Sequence, residues 1–400
     1  MKVAADLHIH SKFAIATSKD TDLEHLAAGA KAKGLNLLGT GDFTHPFWLR
    51  ELREKLEPTS EGVFGYGGMS WILSGEVSLV YEQDGKKRKV HHLIYAPDFE
   101  VAEQVAEALS RHGNLESDGR PVLTGLNSAE LVEILTEVSS SVVVIPAHAW
   151  TPWFSVFGSK SGFDSLKECF QDQTKKIFAI ETGLSSDPPM NWRLSSLDGI
   201  ALVSNSDAHS PNPWRLGREA NVFELEKLSY RELFDAVRLK DERRFLFTIE
   251  VDPSYGKYHY TGHRKCGVSL PPADATALNN KCPACGKKLT VGVLQRVEEL
   301  ADRPDGFRPE HAIPYRDLIP LYELISYATG VNRLYSKPVI EEQNRLIKTF
   351  GNELNVLLYA SETELTRATN PKVKEAIIGF RENRIRLVPG YDGVYGHPTP

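Results

Sequence analysis

Short apolar runs alternate with amphipathic stretches through residues 1–250. Val3–Leu7, Leu35–Leu38, Trp71–Leu73, Lys89–Tyr95, Val142–Ile145, Ile177–Ile180, Ala201–Val203 and Phe245–Val251 have the length and apolar character of buried strands. Between them, Thr21–Lys33, Val101–Arg111 and Ser128–Val138 carry apolar residues at helical spacing. Gly34 stands where the first of these helices should stop. This alternation predicts an α/β fold with a mostly parallel sheet and helices outside it. With about seven or eight such strands, a barrel is favoured over an open sheet.

The pattern changes after residue 250. Asp252–Lys257 contains Pro253 and Gly256 and marks a boundary. Residues 258–290 hold three of the four cysteines. From Val291 the spacing turns helical: Val291–Ala301, Asp317–Thr329, Lys337–Phe350, Thr363–Ala368 and Pro371–Arg381. The last has Asn370 as its cap and Pro371 at its first position. The stretch from Val388 to Gly396 is rich in Gly and Tyr and reads as a loop. The expected organisation is a barrel over residues 1–250, a small zinc-binding module over 251–300 and a C-terminal helical region over 301–400.

Polar chemistry sits at the ends of the strand-like runs. The first ends in Asp6-Leu7-His8-Ile9-His10, and the others lead to Gly41-Asp42, Gly75-Glu76, His148 and Asp207-Ala208-His209. In His8-x-His10 the period of two puts both imidazoles on one face. In a β/α barrel the strand ends converge on the active site, so recurring His and carboxylate groups there predict one polynuclear metal site. The expected ligands are His8, His10, Asp42, His45, Glu76, His91, His148, Asp207 and His209. Asp42 and His45 share a loop, so both could bind. His91 and His92 are adjacent and face opposite ways, so only one of them should reach the site. Glu181 is expected to hydrogen-bond rather than ligate, and Glu250 to be structural or on the surface. N and O donors of this mix suit zinc, manganese or iron without choosing among them.

Composition narrows the class. The chain has 400 residues, 41% hydrophobic and 25% charged, with a net charge of −6. That is ordinary for a globular protein and excludes a uniformly basic nucleic-acid binder, though not a local basic groove. Nine of thirteen histidines lie at or before His209, which places the chemistry in the barrel. No early stretch reads as a signal peptide and no apolar run has a membrane-spanning length, so the expectation is a cytoplasmic chain with no membrane partner.

Cys282-Pro283-Ala284-Cys285-Gly286 has the form of a zinc knuckle, with Gly easing the turn after the paired thiolates. His263-Arg264-Lys265-Cys266-Gly267 offers a second pair at the same spacing. His263, Cys266, Cys282 and Cys285 would close one structural zinc site, with His259 an alternative for the fourth position. Cys169 reads as a small buried hydrophobe.

Asp6-Leu7-His8-Ile9-His10-Ser11, Gly75-Glu76, the His148 strand end and Ser206-Asp207-Ala208-His209-Ser210 resemble the motifs of the PHP (polymerase and histidinol phosphatase) superfamily. That resemblance implies a distorted (β/α)7 barrel holding two to three divalent ions (zinc, manganese or magnesium) and cleaving phosphoesters. Of the adjacent pair it favours His91. One departure stands out: residues 14–18 supply no imidazole and Phe43 follows Asp42, which weakens a third metal site unless His45 replaces the lost ligand. The barrel motifs, the Cys/His module and the Pro389-Gly390-Tyr391-Asp392-Gly393-Val394-Tyr395-Gly396 end together resemble the endonuclease Q group of that superfamily.

The second resemblance implies a DNA-repair endonuclease. Its action would be to cut the phosphodiester 5′ of deaminated bases (uracil, hypoxanthine, xanthine) or abasic sites, by a metal-activated water, leaving a 3′-hydroxyl and a 5′-phosphate. His10, Glu76 and Asp207 are the expected catalytic core, with Trp150, Trp153, Arg193, Arg215, Arg218, Tyr391 and Tyr395 as candidate DNA contacts. Lys372, Lys374, Arg381, Arg384 and Arg386 form a local basic run. The expected partner is damaged DNA and the expected state a monomer. A small-molecule phosphomonoesterase of the histidinol phosphatase type is the alternative on the same barrel.

Overall fold

The computed structural model describes residues 1–331, 336–382 and 384–399. Seven strands surround the site: β1 (Lys2–Asp6), β2 (Leu37–Gly39), β3 (Met69–Gln83), β4 (Lys86–Ala96), β5 (Val143–Pro146), β6 (Ala179–Glu181) and β7 (Ala201–Val203). β1, β2 and β3 pair in parallel, as do β6 and β7. β4 runs antiparallel to both β3 and β5. Single contacts close the two gaps left by these ladders. Between β5 and β6, the Ala149 amide donates to the Glu181 carbonyl at 2.9 Å. Between β7 and β1, Ile9 bridges Ala208 and the His10 amide donates to the Ala208 carbonyl at 2.9 Å. Closure is partial because β8 (Ala220–Glu224) takes most of the β1 edge, and β9 (Phe245–Glu250) pairs beyond it.

Three sequence expectations change here. The sheet is mixed rather than mostly parallel, since Asp84 and Gly85, both at positive φ, turn β3 straight back into β4. The Phe245–Val251 run forms β9 outside the ring. Glu76 lies within a long strand instead of ending a short one: β3 continues seven residues past it to Gln83.

Local chemistry explains the helices. In α1 (Leu23–Lys33) Asp22 caps the start by accepting from His25 N, and Gly34 ends it at φ 106°. The chain enters α2 (Pro46–Lys55) with Pro at its first position, α3 (Phe99–Ser110) is capped by Asp98, and α4 (Ser128–Val138) opens on a capping box between Asn127 and Glu130. Gly39 is required by close approach: a Cβ there would lie 2.4 Å from the Leu7 carbonyl oxygen. No described helix is long and apolar enough to cross a membrane.

The barrel core is continuous with that of the C-terminal helices, whose Leu321, Leu346, Leu365 and Ile377 join the same buried cluster. The cysteine module has a separate small core of Ala275, Cys282 and Leu289. The tail expected as a loop is tied down. Arg386–Val388 pairs with His397–Thr399, Tyr260 N donates to the Gly390 carbonyl, and Asp392 accepts from Arg264 N and Thr290 Oγ1, each at 2.7 Å. The basic run is also engaged internally: Arg381 donates to the carbonyls of Val356, Leu357 and Ala360, Lys374 pairs with Glu362, and Arg384 pairs with Glu375.

Candidate metal centre

Glu76 is the hub of the site. Its carboxylate is 1% exposed and faces different partners with each oxygen. Oε2 lies 3.5 Å from His8 Nε2 and 3.2 Å from His10 Nε2, whereas Oε1 lies 2.8 Å from His91 Nδ1 and 3.1 Å from His148 Nε2. Asp207 Oδ1 joins the first set, 3.1 Å from His10 Nε2. Two donor groups result, His8/His10/Glu76/Asp207 and Glu76/His91/His148, each with ligand atoms within 4.8 Å of one another. Divalent ions could occupy both, with Glu76 shared between them.

The imidazoles are held for this by their far nitrogens. His8 Nδ1 sits 3.0 Å from both oxygens of Glu181, which also accepts from His148 N and Asn205 Nδ2. His10 Nδ1 sits 2.9 Å from Asp42 Oδ1. Such carboxylates fix tautomer and ring direction and leave Nε2 as the donor atom toward a metal. His8 Nε2 is buried and has no hydrogen-bond partner. A buried nitrogen left unpaired is costly unless something fills its place. That orphan, in a set of imidazole and carboxylate donors, fits a divalent cation.

Backbone strain marks the same residues. Asp42, His148 and Asp207 adopt φ of 50°, 29° and 48°, a region that L-residues rarely enter. Such strain concentrates where a fold holds functional groups against their preference.

Electrostatics follows from the crowding. Burial alone would raise the Glu76 pKa, yet His91, Arg120 and His8 drive it well below the usual carboxylate range. Burial would lower His8 and His10, but Glu181, Glu76 and Asp207 around His8, and Asp42 and Asp207 around His10, hold both well above the ordinary imidazole value. His91 is pulled down to about 4 by burial against the opposing pull of Glu76.

The remaining sequence-predicted residues lie elsewhere. Asp42 is not among the grouped donors: its Oδ2 accepts from Ser11 N and Ser11 Oγ, at 2.6 and 2.7 Å, so it orients His10. His45 stacks on Phe13 at 4.4 Å, outside both groups. His209 packs on the His10 ring at 4.4 Å with Nδ1 2.9 Å from the Asp207 carbonyl oxygen, at the open side of the site. His91 faces the cluster and His92 faces away to Ser128 Oγ. Arg120, which no motif announces, places Nη1 3.2 Å from Glu76 Oε2.

Several candidate DNA contacts are internal. Trp150 is fully buried and donates to Asn191 Oδ1. Arg193 forms a fork onto Glu298 at 2.7 and 2.9 Å. Arg218 donates to the Ser206 carbonyl beside partly buried Arg215. The Tyr391 ring lies over Gly262, whose added Cβ would fall 2.5 Å from it. Trp153 and Tyr395 are exposed, at 40% and 60%.

In the cysteine module, His263, Cys266, Cys282 and Cys285 converge within 4.8 Å, with His263 Nδ1 3.4 Å from Cys285 Sγ. His259 lies outside this group, stacked on Tyr260. Gly267 and Gly286, one after each knuckle, take positive φ. Cys282 is raised by burial, but His263 and the amides of Ala284 and Cys285 bring it down to about 6, favouring the thiolate. Cys282→Ser should lower bound zinc by one ion per chain and open residues 256–292 to protease, because the module's own core is small. Unchanged zinc content and protease resistance would contradict this.

The fold and the site can be set beside known proteins. The MJ0043 C-terminal domain model matches residues 320–384. The uncharacterized protein MJ0043 of Methanocaldococcus jannaschii is 38% identical over 271 residues, 65% of this chain, and that match spans only 33% of the relative's length. The uncharacterized protein YqxK of Bacillus subtilis (strain 168) is 30% identical over 100% of both chains. Among solved structures, the lesion-specific endonuclease PfuEndoQ from Pyrococcus furiosus superposes with a TM-score of 0.89 at 37% identity, covering 100% of this chain and 95% of that one. Endonuclease Q in complex with a 27-mer duplex substrate, an abasic lesion at its active site, matches with the same score and identity over 100% of this chain and 96% of that one. The chain belongs to the endonuclease Q family.

Proposed function

We propose that this chain is a metal-dependent endonuclease that cuts DNA at damaged bases, on the 5′ side of a deaminated base or an abasic site. The observation that carries the proposal is the likeness, over the full chain at 37% identity, to an enzyme solved with an abasic lesion at its active site. The grouped donors support the chemistry. His8, His10, Glu76 and Asp207 would hold one divalent ion, and Glu76, His91 and His148 a second. When bound, such ions supply positive charge to phosphoryl oxygens and lower the pKa of water.

The protein's own groups do the positioning. Glu181 and Asp42 keep His8 and His10 aimed inward, while Ser155 Oγ, 3.1 Å from His148 Nδ1, does the same for His148. Asp207 and His209 are the open edge, each about a third exposed, where a phosphodiester can enter. His209 is lowered from the ordinary imidazole value by burial, and its Nδ1 faces a carbonyl, so its Nε2 is free to accept a proton.

An aromatic face supports nucleic acid as the substrate. Phe154 sits 4.8 Å from His91 and under Lys89, and its neighbour Trp153 meets Tyr258 edge-on at 5.7 Å. Lys257 spans Tyr258 and Tyr395. Aromatic rings interleaved with cations suit stacked bases and backbone phosphates. Both donor groups are built from residues of one chain, in keeping with action as a monomer.

The direct test gives metal-loaded protein three substrates: a duplex with one uracil, the undamaged duplex and a chromogenic phosphate monoester. Cleavage confined to the uracil strand supports the proposal. Hydrolysis of the monoester alone would replace it with a phosphomonoesterase.

Metal binding should depend on pH. His8 and His10 hold protons above their ordinary values in the metal-free protein, and an ion must displace them. Affinity should therefore rise with pH, with proton release seen by calorimetry in buffers of different ionisation enthalpy. The metal-free protein should behave oppositely. Groups raised on folding stabilise at low pH and lose that contribution as pH climbs through the raised value. His8, His10 and Glu250, the last pushed up by burial to about 8, all act this way. The melting temperature of the metal-free protein should fall as pH rises from about 7 to about 8; a rise would contradict these assignments.

A further inference from the structure

Arg120 is mounted on the metal centre by a built loop. Asp118 Oδ1 accepts the backbone N–H of Ile15 at 2.9 Å and of Arg120 itself at 3.2 Å. Gly119 N donates to the Phe13 carbonyl at 3.0 Å. A Cβ on Gly119 would lie 2.4 Å from Asp42 Oδ2, so only glycine lets the loop press against the carboxylate that orients His10. These contacts fix the base of the Arg120 side chain against the loop that follows β1.

From that base the guanidinium reaches Glu76 from the open side. Its Nη1 is 3.2 Å from Glu76 Oε2, and its side chain is 26% exposed where Glu76 is 1% exposed. Glu76 already has four imidazoles within 3.5 Å. Arg120 is therefore a fifth nitrogen-bearing side chain on this carboxylate, and it is not one of the grouped donors. Arg120 makes no other side-chain hydrogen bond among the described residues, which leaves most of its five N–H donors for a ligand. A planar fork with free donors matches two oxygens of one phosphate.

We propose that Arg120 is a catalytic residue that binds the scissile phosphodiester, one or more of its free N–H groups donating to the non-bridging oxygens while Nη1 stays near Glu76. This rests on the endonuclease reading above. Negative charge builds on those oxygens during displacement, so a preset donor acts most strongly in the transition state.

The test compares wild type with Arg120→Gln and Arg120→Lys, all metal-loaded. Single-turnover cleavage of the uracil duplex should fall about 100-fold in Arg120→Gln. Arg120→Lys, which keeps the charge without the fork, should recover part of that loss, and guanidinium ion should partly rescue Arg120→Ala. Metal per chain and melting temperature should be unchanged. Calorimetry with inorganic phosphate gives a second readout, with affinity about tenfold weaker in Arg120→Gln, the weight of one charge-assisted hydrogen bond. A wild type that cuts, with Arg120→Gln cutting as fast, overturns the assignment and leaves the endonuclease reading standing. A loss that tracks missing metal also overturns it. A wild type that does not cut DNA, yet loses phosphate affinity on Arg120→Gln, sinks the endonuclease reading and keeps Arg120 as the phosphate ligand.

Discussion

Glu76→Gln is expected to reduce cleavage at least about 1,000-fold and to lower bound barrel metal, with the fold retained. Its carboxylate is the one ligand shared by both donor groups, with a separate oxygen for each. An amide offers one oxygen and no charge, so neither group is left intact. The substitution also removes the carboxylate that four imidazoles and Arg120 face. The raised pKa of His8 should then drop toward the ordinary value, because Glu76 is one of its causes. Metal content by mass spectrometry and the His8 titration by NMR read these effects separately. Activity within tenfold of wild type would remove Glu76 from the centre of the mechanism.

Lys33→Ala is the substitution with the largest expected cost in stability. Lys33 ends α1, and its Nζ lies 2.7 Å from Glu353 Oε1, with the two side chains 2% and 0% exposed. Glu353 also accepts from Leu321 N and Gln343 Nε2, so it ties the C-terminal helices to the barrel. Removing the ammonium leaves a buried carboxylate without its cation, at a cost of about 3–5 kcal/mol. Replacing both partners, Lys33→Met with Glu353→Leu, should recover much of that, because the penalty belongs to the uncompensated charge. Urea unfolding of the single and double variants checks the ordering. A single variant losing under about 1 kcal/mol would mean that water reaches the pair and screens it as on a surface.

Local rules made much of the fold legible. Asp22 and Gly34 bound α1, Ser128–Val138 forms the helix its spacing predicts, and Asn370 caps the last helix. Period two set His91 and His92 on opposite faces, and the family resemblance favoured His91, the one that reaches Glu76. Long-range pairing was not legible. Nothing local tells that β3 runs past Glu76 or that β4 returns antiparallel, because an apolar strand reads alike in either direction. The roles within the site depended on geometry as well. Glu181 hydrogen-bonds to His8 Nδ1 as expected, whereas Asp42, expected among the ligands, turns its Oδ1 to His10 Nδ1. His45 shares a loop with Asp42 but turns onto Phe13. Arg120 sits in a loop with no motif, and contacts of that loop with the sequence-distant Phe13, Ile15 and Asp42 bring it in. Trp150, a candidate DNA contact by its place after a ligand, is buried against Phe157 and Asn191.

Cutting DNA at a lesion is the activity assigned to the centre around Glu76. The most direct measurement maps the cut on a 5′-labelled duplex carrying one uracil, incubated with metal-loaded protein. A single product is expected, ending immediately 5′ of the uracil with a 3′-hydroxyl that a polymerase extends, absent with Asp207→Asn and absent from the undamaged duplex. Cutting at undamaged positions, or a cut retained by Asp207→Asn, would contradict it.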